Sequence, residues 1–245
     1  MILAIDIGNT NIVLGCVDDN KTYFIERLST IKTKMELEYA IDIKMVLDIH
    51  GIKPEKLEGA IISSVVPQIT YVVKEAAEKI LKKETLVIGP GVKNGLNILM
   101  DNPAQLGSDL VANAVAGIAE YKAPMMIFDL GTATTVSVID EKKNYIGGMI
   151  YPGVNISLNA LTENASQLQG IGLEAPKRIV GKNTIVCMKS GVLYSSAAAI
   201  DGIIDRIEEA IGHKFEIKVD PKLIRPTDER IIVGDVTKLK VDTGW

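Results

Sequence analysis

Asp6-Ile7-Gly8-Asn9-Thr10-Asn11 lies between two apolar runs, Ile2-Leu3-Ala4-Ile5 and Ile12-Val13-Leu14-Gly15-Cys16-Val17. A strand, a tight polar bend and a second strand predict a β-hairpin over 2–17. Gly8 has no side chain, so the backbone there can come close to a ligand and offer its N–H groups. Asn9, Thr10 and Asn11 add hydrogen-bonding side chains. Asp6 supplies the hard oxygen that Mg²⁺ or its waters favour. A plain β-turn uses the same residue types, and the stretch taken alone favours that reading over a phosphate loop.

The pattern returns later in the chain. Met125-Met126-Ile127-Phe128 leads into Asp129-Leu130-Gly131-Thr132-Ala133-Thr134-Thr135 and then Val136-Ser137-Val138-Ile139. Strand, Asp-x-Gly, hydroxyl residues and strand thus occur twice, which is the mark of a duplicated domain. Two such bends facing each other would hold a polyphosphate.

With 245 residues, the chain can build one large domain or two of ordinary size. Apolar residues are 47% and charged residues 24%, the balance of a globular protein. A net charge of −4 with no basic stripe argues against a nucleic-acid partner. Cys16 and Cys187 stand at no metal-ligand spacing, and His50 and His213 are isolated. Neither a zinc site nor a His-based triad is expected, and the thiols read as reduced. The first apolar run is too short for a signal peptide, and no stretch approaches the ~20 apolar residues of a membrane span. These features predict a cytoplasmic protein.

Taken in order, 22–25 reads as a third strand and 36–50 as a helix, with Leu37, Ala40, Ile41, Ile43, Val46 and Leu47 mostly on one face and Gly51 as its stop. The run 61–66 reads as a buried strand before Pro67, 68–83 as a helix with late lysines, and 86–88 as another strand. Gly89-Pro90-Gly91 lacks the third glycine of a dinucleotide fingerprint. Alternating strands and helices predict an α/β architecture with a largely parallel central sheet.

In Asp101-Asn102-Pro103-Ala104-Gln105-Leu106-Gly107-Ser108-Asp109, a helix of small residues begins. Ser108 or Asp109 is a natural N-cap. Alternatively, Asp109 is a general base that takes the proton of a substrate hydroxyl attacking a phosphate donor. Gly147-Gly148-Met149-Ile150-Tyr151-Pro152-Gly153-Val154 lets backbone approach a ligand, but such stretches are also ordinary turns. A helix follows over 153–163. Gly181-Lys182-Asn183-Thr184 precedes a long helix, 186–211. Its second half has an apolar face of Ile200, Ile203, Ile204, Ile207 and Ile211, with Asp205, Arg206, Glu208 and Glu209 on the other side.

The ordered set D-I-G-N-T-N, N-P-A-Q-L-G-S-D, D-L-G-T-A-T-T, G-G-M-I-Y-P-G-V and G-K-N-T resembles type III pantothenate kinase over about 1–212. R-L-S-T (27–30), I-S-S-V-V-P (62–67) and G-P-G-V (89–92) add to the likeness. The resemblance implies duplicated ribonuclease H-like domains of the actin-like ATPase kind, each a mixed sheet with flanking helices, divided as 1–120 and 121–212. It implies a homodimer using ATP with Mg²⁺ and a monovalent cation, K⁺ or NH₄⁺, that phosphorylates the 4′-hydroxyl of pantothenate in the first step of coenzyme A synthesis. By position, Asp6, Gly8, Asn9, Thr10 and Asn11 match one phosphate loop and Gly131, Thr132 and Thr134 the other, with Asp6 and Asp129 toward the metal. Asp109 matches the catalytic base. Met100, Gly107, Ser108 and Leu110 match the pantothenate pocket, which Thr184 reaches from a partner subunit.

Three positions depart from that pattern. Leu110 stands where the family has an Arg suited to a carboxylate, Met100 stands where it tends to have a Tyr, and Asn164-Ala165-Ser166 replaces a T-A pair. The first two remove polar contacts from the substrate side. They raise an alternative: a kinase-like protein that binds or regulates, or that acts on another small hydroxy acid. Residues 213–245 do not continue to the family's T-G-G strand for the adenosine end, which predicts weak ATP binding or none. They resemble a fragment of a nucleotide-sugar dehydratase or reductase. The chain has neither G-x-G-x-x-G nor Tyr-x-x-x-Lys for that chemistry, and about 33 residues cannot form a Rossmann domain.

Overall fold

Strand alternation decides which face of the first hairpin is buried. In β1 (Ile2–Ile7), Leu3, Ile5 and Ile7 are at most 2% exposed, while Ile2 and Asp6 point to the opposite face. β2 (Asn11–Val17) returns antiparallel to β1, and its Ile12, Leu14 and Cys16 join the same buried face. β3 (Thr22–Ser29) pairs antiparallel with β2 as far as Asn11 opposite Ser29, so it runs well beyond the 22–25 expected. β4 (Ala60–Ser64) and β5 (Thr85–Val87) add in parallel, giving the order β3-β2-β1-β4-β5. The sheet is therefore mixed rather than largely parallel, because the three N-terminal strands are joined by tight turns that permit only antiparallel neighbours.

This is a computed structural model. It describes residues 1–90, 92–164, 172–176 and 178–215. Gly91, the substitution at Ala165-Ser166 and the unusual stretch 216–245 lie outside the described residues. The chain forms two compact units: Met1–Ile127 with Ser137–Gly148, and Phe128–Val136 with the residues from Met149 onward.

In the first unit, α1 (Glu36–Ile49) and α2 (Pro67–Leu81) cover the buried face of the sheet. α1 presents Tyr39, Ala40, Ile43, Val46 and Leu47 to the core. Leu37 and Ile41, expected on that face, are exposed, and with Met45 and Ile49 they form a second stripe at i, i+4 spacing. Pro67, expected to end a strand, instead opens α2 at its first turn, where a missing N–H costs nothing. A second core cluster gathers Ala114, Met125, Ile139 and Tyr145. It draws on α3 (Ser108–Glu120), β7 (Met125–Leu130), β8 (Ala133–Ile139) and β9 (Asn144–Pro152). The last three strands and the short β6 (Asn97–Ile98) form a sheet of order β6-β9-β8-β7.

The second unit has a smaller core, in which α4 (Val154–Asn164) packs on α5 (Thr184–Ile211) through Leu158, Met188 and Val192. Glu208, expected on the polar face of α5, is buried at 7% exposure. It binds the Lys214 ammonium and accepts from the Phe215 N–H at 2.7 Å, so the chain after the helix folds back over it. Among the described residues no helix is long and apolar enough to cross a membrane.

Candidate functional site

The first bend is closed by the Gly8 N–H donating to the Asn11 carbonyl at 2.9 Å. Thr30, just past β3, supports it twice: its hydroxyl donates to the Gly8 carbonyl at 2.7 Å and its N–H to the Thr10 carbonyl at 3.0 Å. The peptide unit is planar and trans, so a Gly8 carbonyl aimed at Thr30 sends the Asn9 N–H the other way. Asp6, Asn9, Thr10 and Asn11 are exposed there. The bend thus offers an N–H, two amides, a hydroxyl and one carboxylate, a donor-rich set suited to phosphate.

The second bend is one residue tighter, closed by the Gly131 N–H donating to the Ala133 carbonyl at 3.1 Å. Its support is backbone. Gly153, at the start of α4, donates its N–H to the Thr132 carbonyl at 3.1 Å and accepts from Ser157 at 2.9 Å. A Cβ on Gly153 would run into the carbonyl oxygens of Gly131 and Thr132. Gly131 and Thr132 are exposed, whereas Thr134 lies inside β8 at 3% exposure. Thr134 lies near Tyr151, whose hydroxyl is buried without a partner at hydrogen-bonding geometry. Burial pushes the Tyr151 phenol up, and Thr134 offsets part of that shift. The Thr135 hydroxyl is likewise buried and unpartnered.

At the head of α3 the capping expectation is overturned. The N-cap is Gly107, with no side-chain cap, and Ser108 and Asp109 are the first two helical residues. The Ser108 hydroxyl is engaged elsewhere: it donates to the Ser64 carbonyl at 2.9 Å and accepts from the Ser64 N–H at 2.8 Å. Asp109 is half-buried, and its carboxylate lies over Gly107, where a Cβ would collide with it. The glycine thus leaves room for the carboxylate.

Met100 is half-buried and packs against the second core cluster, and Leu110 is half-buried on α3. Thr184 is exposed at the first turn of α5, behind the N-cap Asn183, whose side chain accepts from Val186 at 2.9 Å. The described residues contain no cluster of three or more His, Cys, Asp or Glu able to cage a metal. Asp6 and Asp129 carry the hard carboxylate oxygens that suit Mg²⁺, an ion that keeps waters and phosphates as most of its ligands. Thr30, Ser64 and Gly153 went unassigned in the sequence. Each lay in a stretch that matched the family, R-L-S-T, I-S-S-V-V-P or Y-P-G-V, but nothing in the residue type disclosed its partner.

An Asp-x-Gly hairpin bend recurs in each of the two units, the first on a mixed sheet of order β3-β2-β1-β4-β5, and the class of protein that carries these sequence motifs is a small-molecule kinase. A family model for type III pantothenate kinase matches residues 2–206. The chain is 45% identical over 212 residues to a type III pantothenate kinase of Exiguobacterium sp., covering 86% of this chain and 84% of that relative. Among solved structures it is similar to a Baf family protein from Campylobacter jejuni, at 18% identity and a TM-score of 0.48, with 82% and 78% of the two chains covered. It is also similar to the activator of 2-hydroxyisocaproyl-CoA dehydratase from Clostridium difficile, at 10% identity and a TM-score of 0.46, with 84% and 75% covered. The chain belongs to the type III pantothenate kinase family.

Proposed function

We propose that this chain transfers the γ-phosphoryl group of ATP to the 4′-hydroxyl of pantothenate, with Asp109 as general base. In this reading the substrate hydroxyl gives its proton to the Asp109 carboxylate as its oxygen attacks the γ-phosphorus. The bond to the β–γ bridging oxygen breaks and ADP leaves. Phosphate oxygens are received by the Gly8–Asn11 bend and by Gly131 and Thr132, and Thr134 supports the second bend from within β8. Asp6 and Asp129 would hold Mg²⁺, which, bound with ATP, would neutralise the developing phosphate charge. The finer parts of the reading come from the family: K⁺ or NH₄⁺ as a second cation, a homodimer in which Thr184 serves the partner's pocket, and a cytoplasmic setting.

The observation that carries this reading is Asp109 itself. It is a carboxylate on the first turn of a helix, not used as a cap, and held over a glycine. With pantothenate and MgATP, Asp109→Asn lowers kcat by about 10²–10⁴-fold. An unchanged rate removes Asp109 from the chemistry. Leu110 favours a second reading, in which the acceptor is a different small hydroxy acid, because an apolar side chain cannot pair with a carboxylate. An ADP-release assay over a panel of hydroxy acids separates the two: turnover highest with pantothenate supports the first, and turnover confined to another acceptor supports the second.

A further inference from the structure

We propose that Ser108 is a positioning residue that sets Asp109 in register with the first phosphate bend; this rests on Asp109 being the base. β5 accompanies β4 only as far as the Ile88 N–H that donates to the Ile62 carbonyl at 2.8 Å. In a strand, the N–H and C=O of one residue point to the same side, and every second residue repeats that side. Ser64 is therefore the next residue facing the edge that β5 has left. Its N–H and C=O are the two groups that the Ser108 hydroxyl takes, at 2.8 and 2.9 Å. One serine side chain supplies the rung that a continuing strand would have made.

The rest of the hydroxyl's capacity is filled too. A hydroxyl has one proton and two lone pairs, and the Ser63 hydroxyl stands 3.3 Å from that of Ser108. Ser63 and Ser108 are each 8% exposed, so the junction is shielded from water. On the far side of β4, the Ser64 hydroxyl pairs with Thr70 at 2.7 Å and accepts from the Val66 N–H at 3.1 Å, which fixes the same residue to α2.

The functional consequence follows from register. Ser63 pairs with Asp6 and Ser64 with Ile7, and the Val65 N–H donates to the Ile7 carbonyl at 3.0 Å. The end of β4 is thus bonded on one side to the strand that delivers Asp6 and Gly8, and on the other to the residue preceding Asp109. Base and phosphate bend share one rigid frame. A loop residue without this latch would leave the carboxylate free to drift by an ångström, enough to cost about 10²-fold in rate.

The experiment compares Ser108→Ala, Ser108→Thr and Asp109→Asn, alone and with Ser108→Ala in the Asp109→Asn background, using pantothenate and MgATP. Ser108→Ala is expected to lower kcat by about 10- to 100-fold, with the KM for ATP changed less than about twofold. Ser108→Thr, which keeps the hydroxyl, recovers kcat to within about threefold of the parent. In the Asp109→Asn background Ser108→Ala adds no further loss, because a residue acting through the base has nothing left to position. If Ser108→Ala does not accumulate as folded protein by circular dichroism, Ser108→Cys, with its weak S–H donor, carries the same readings. A wild-type kcat in Ser108→Ala beside a slow Asp109→Asn overturns the positioning role alone. Equal losses in the Ala and Thr variants, or losses that multiply in the double variant, overturn it as well. A wild-type rate in Asp109→Asn overturns the base assignment, and the positioning role with it.

Discussion

The two Asp-x-Gly bends look interchangeable as sequence and are held in place by different means. The first leans on a side chain, the Thr30 hydroxyl bonded to the Gly8 carbonyl at 2.7 Å. The second leans on backbone, with Gly153 of α4 pressed against the Gly131 and Thr132 carbonyls. A side-chain prop can be weakened in small steps, since neighbouring rotamers and water take up part of the loss. A backbone contact at that range has no such slack, because any Cβ must displace peptide units. The second bend should therefore be the brittle one.

The sharpest way to break this contrast is Gly153→Ala. The new methyl group meets two carbonyl oxygens that are anchored by β7 and β8, so the expected loss is about 1–3 kcal/mol or more, seen as a lower urea midpoint. The KM for ATP rises with it as the bend shifts. A midpoint equal to that of the parent would show that the second bend yields as readily as the first.

Gly8→Ala is the matched change in the first bend, and a smaller effect is expected. Its Cβ would stand 3.1 Å from the Asn11 carbonyl oxygen, which needs to move only a few tenths of an ångström. A loss of about 1 kcal/mol is expected, again read from the urea midpoint. If Gly8→Ala proves the costlier of the two, the ranking of the supports is reversed.

Why the sequence disclosed the bends and not their supports is a matter of range. Asp6 to Val17 is a local unit, in which apolar alternation and turn residues at fixed spacing suffice to predict a hairpin. Thr30 meets Gly8 across 22 residues, and Ser108 meets Ser64 across 44. Nothing in the type of either residue announces so distant a partner. The N-cap expectation at Ser108 failed for the same reason: local propensity favoured a cap, while an unpaired strand edge far away in sequence claimed the hydroxyl. In α1 the period was legible but the phase was not. Two apolar stripes, Tyr39-Ile43-Leu47 and Leu37-Ile41-Met45, compete along one helix, and only the packing against the sheet decides between them. The duplicated Asp-x-Gly unit was visible because both copies are local. The division of β7 to β9 between compact units was not, since it depends on which strands pair.

Thr30→Val tests the softer support. Valine keeps the shape and removes the hydroxyl, so the Gly8 carbonyl loses its 2.7 Å donor while the Thr30 backbone bond to Thr10 stays. A loss of about 1 kcal/mol in stability and a rise of roughly two- to fivefold in the KM for ATP are expected, with kcat little changed. Thr30→Ser, which keeps the donor, should remain near the parent. Equal behaviour of the Val and Ser variants would mean that the hydroxyl does not hold the bend.

The smallest effect asks whether the contrast extends beyond the bends to the units that carry them. The first unit rests on a broad apolar core, whereas among the described residues the buried cluster between α4 and α5 in the second is Leu158, Met188 and Val192 with Val154 at their side. A polar tie should therefore matter more in the second, and Glu208 is one. The Lys214 ammonium, and then the Phe215 N–H, hold its carboxyl below the usual carboxylate range. A depressed value in the folded state means that the folded protein binds fewer protons than the unfolded chain. The stabilisation is thus present above the ordinary carboxylate pKa and is lost as pH falls through the lower folded value. Glu208→Gln should lower the urea midpoint modestly at neutral pH, and the gap from the parent should close as pH drops below about 4. A gap that stays constant down to pH 3 would show that Glu208 acts through packing rather than charge, and the second unit would then owe its cohesion to its apolar residues after all.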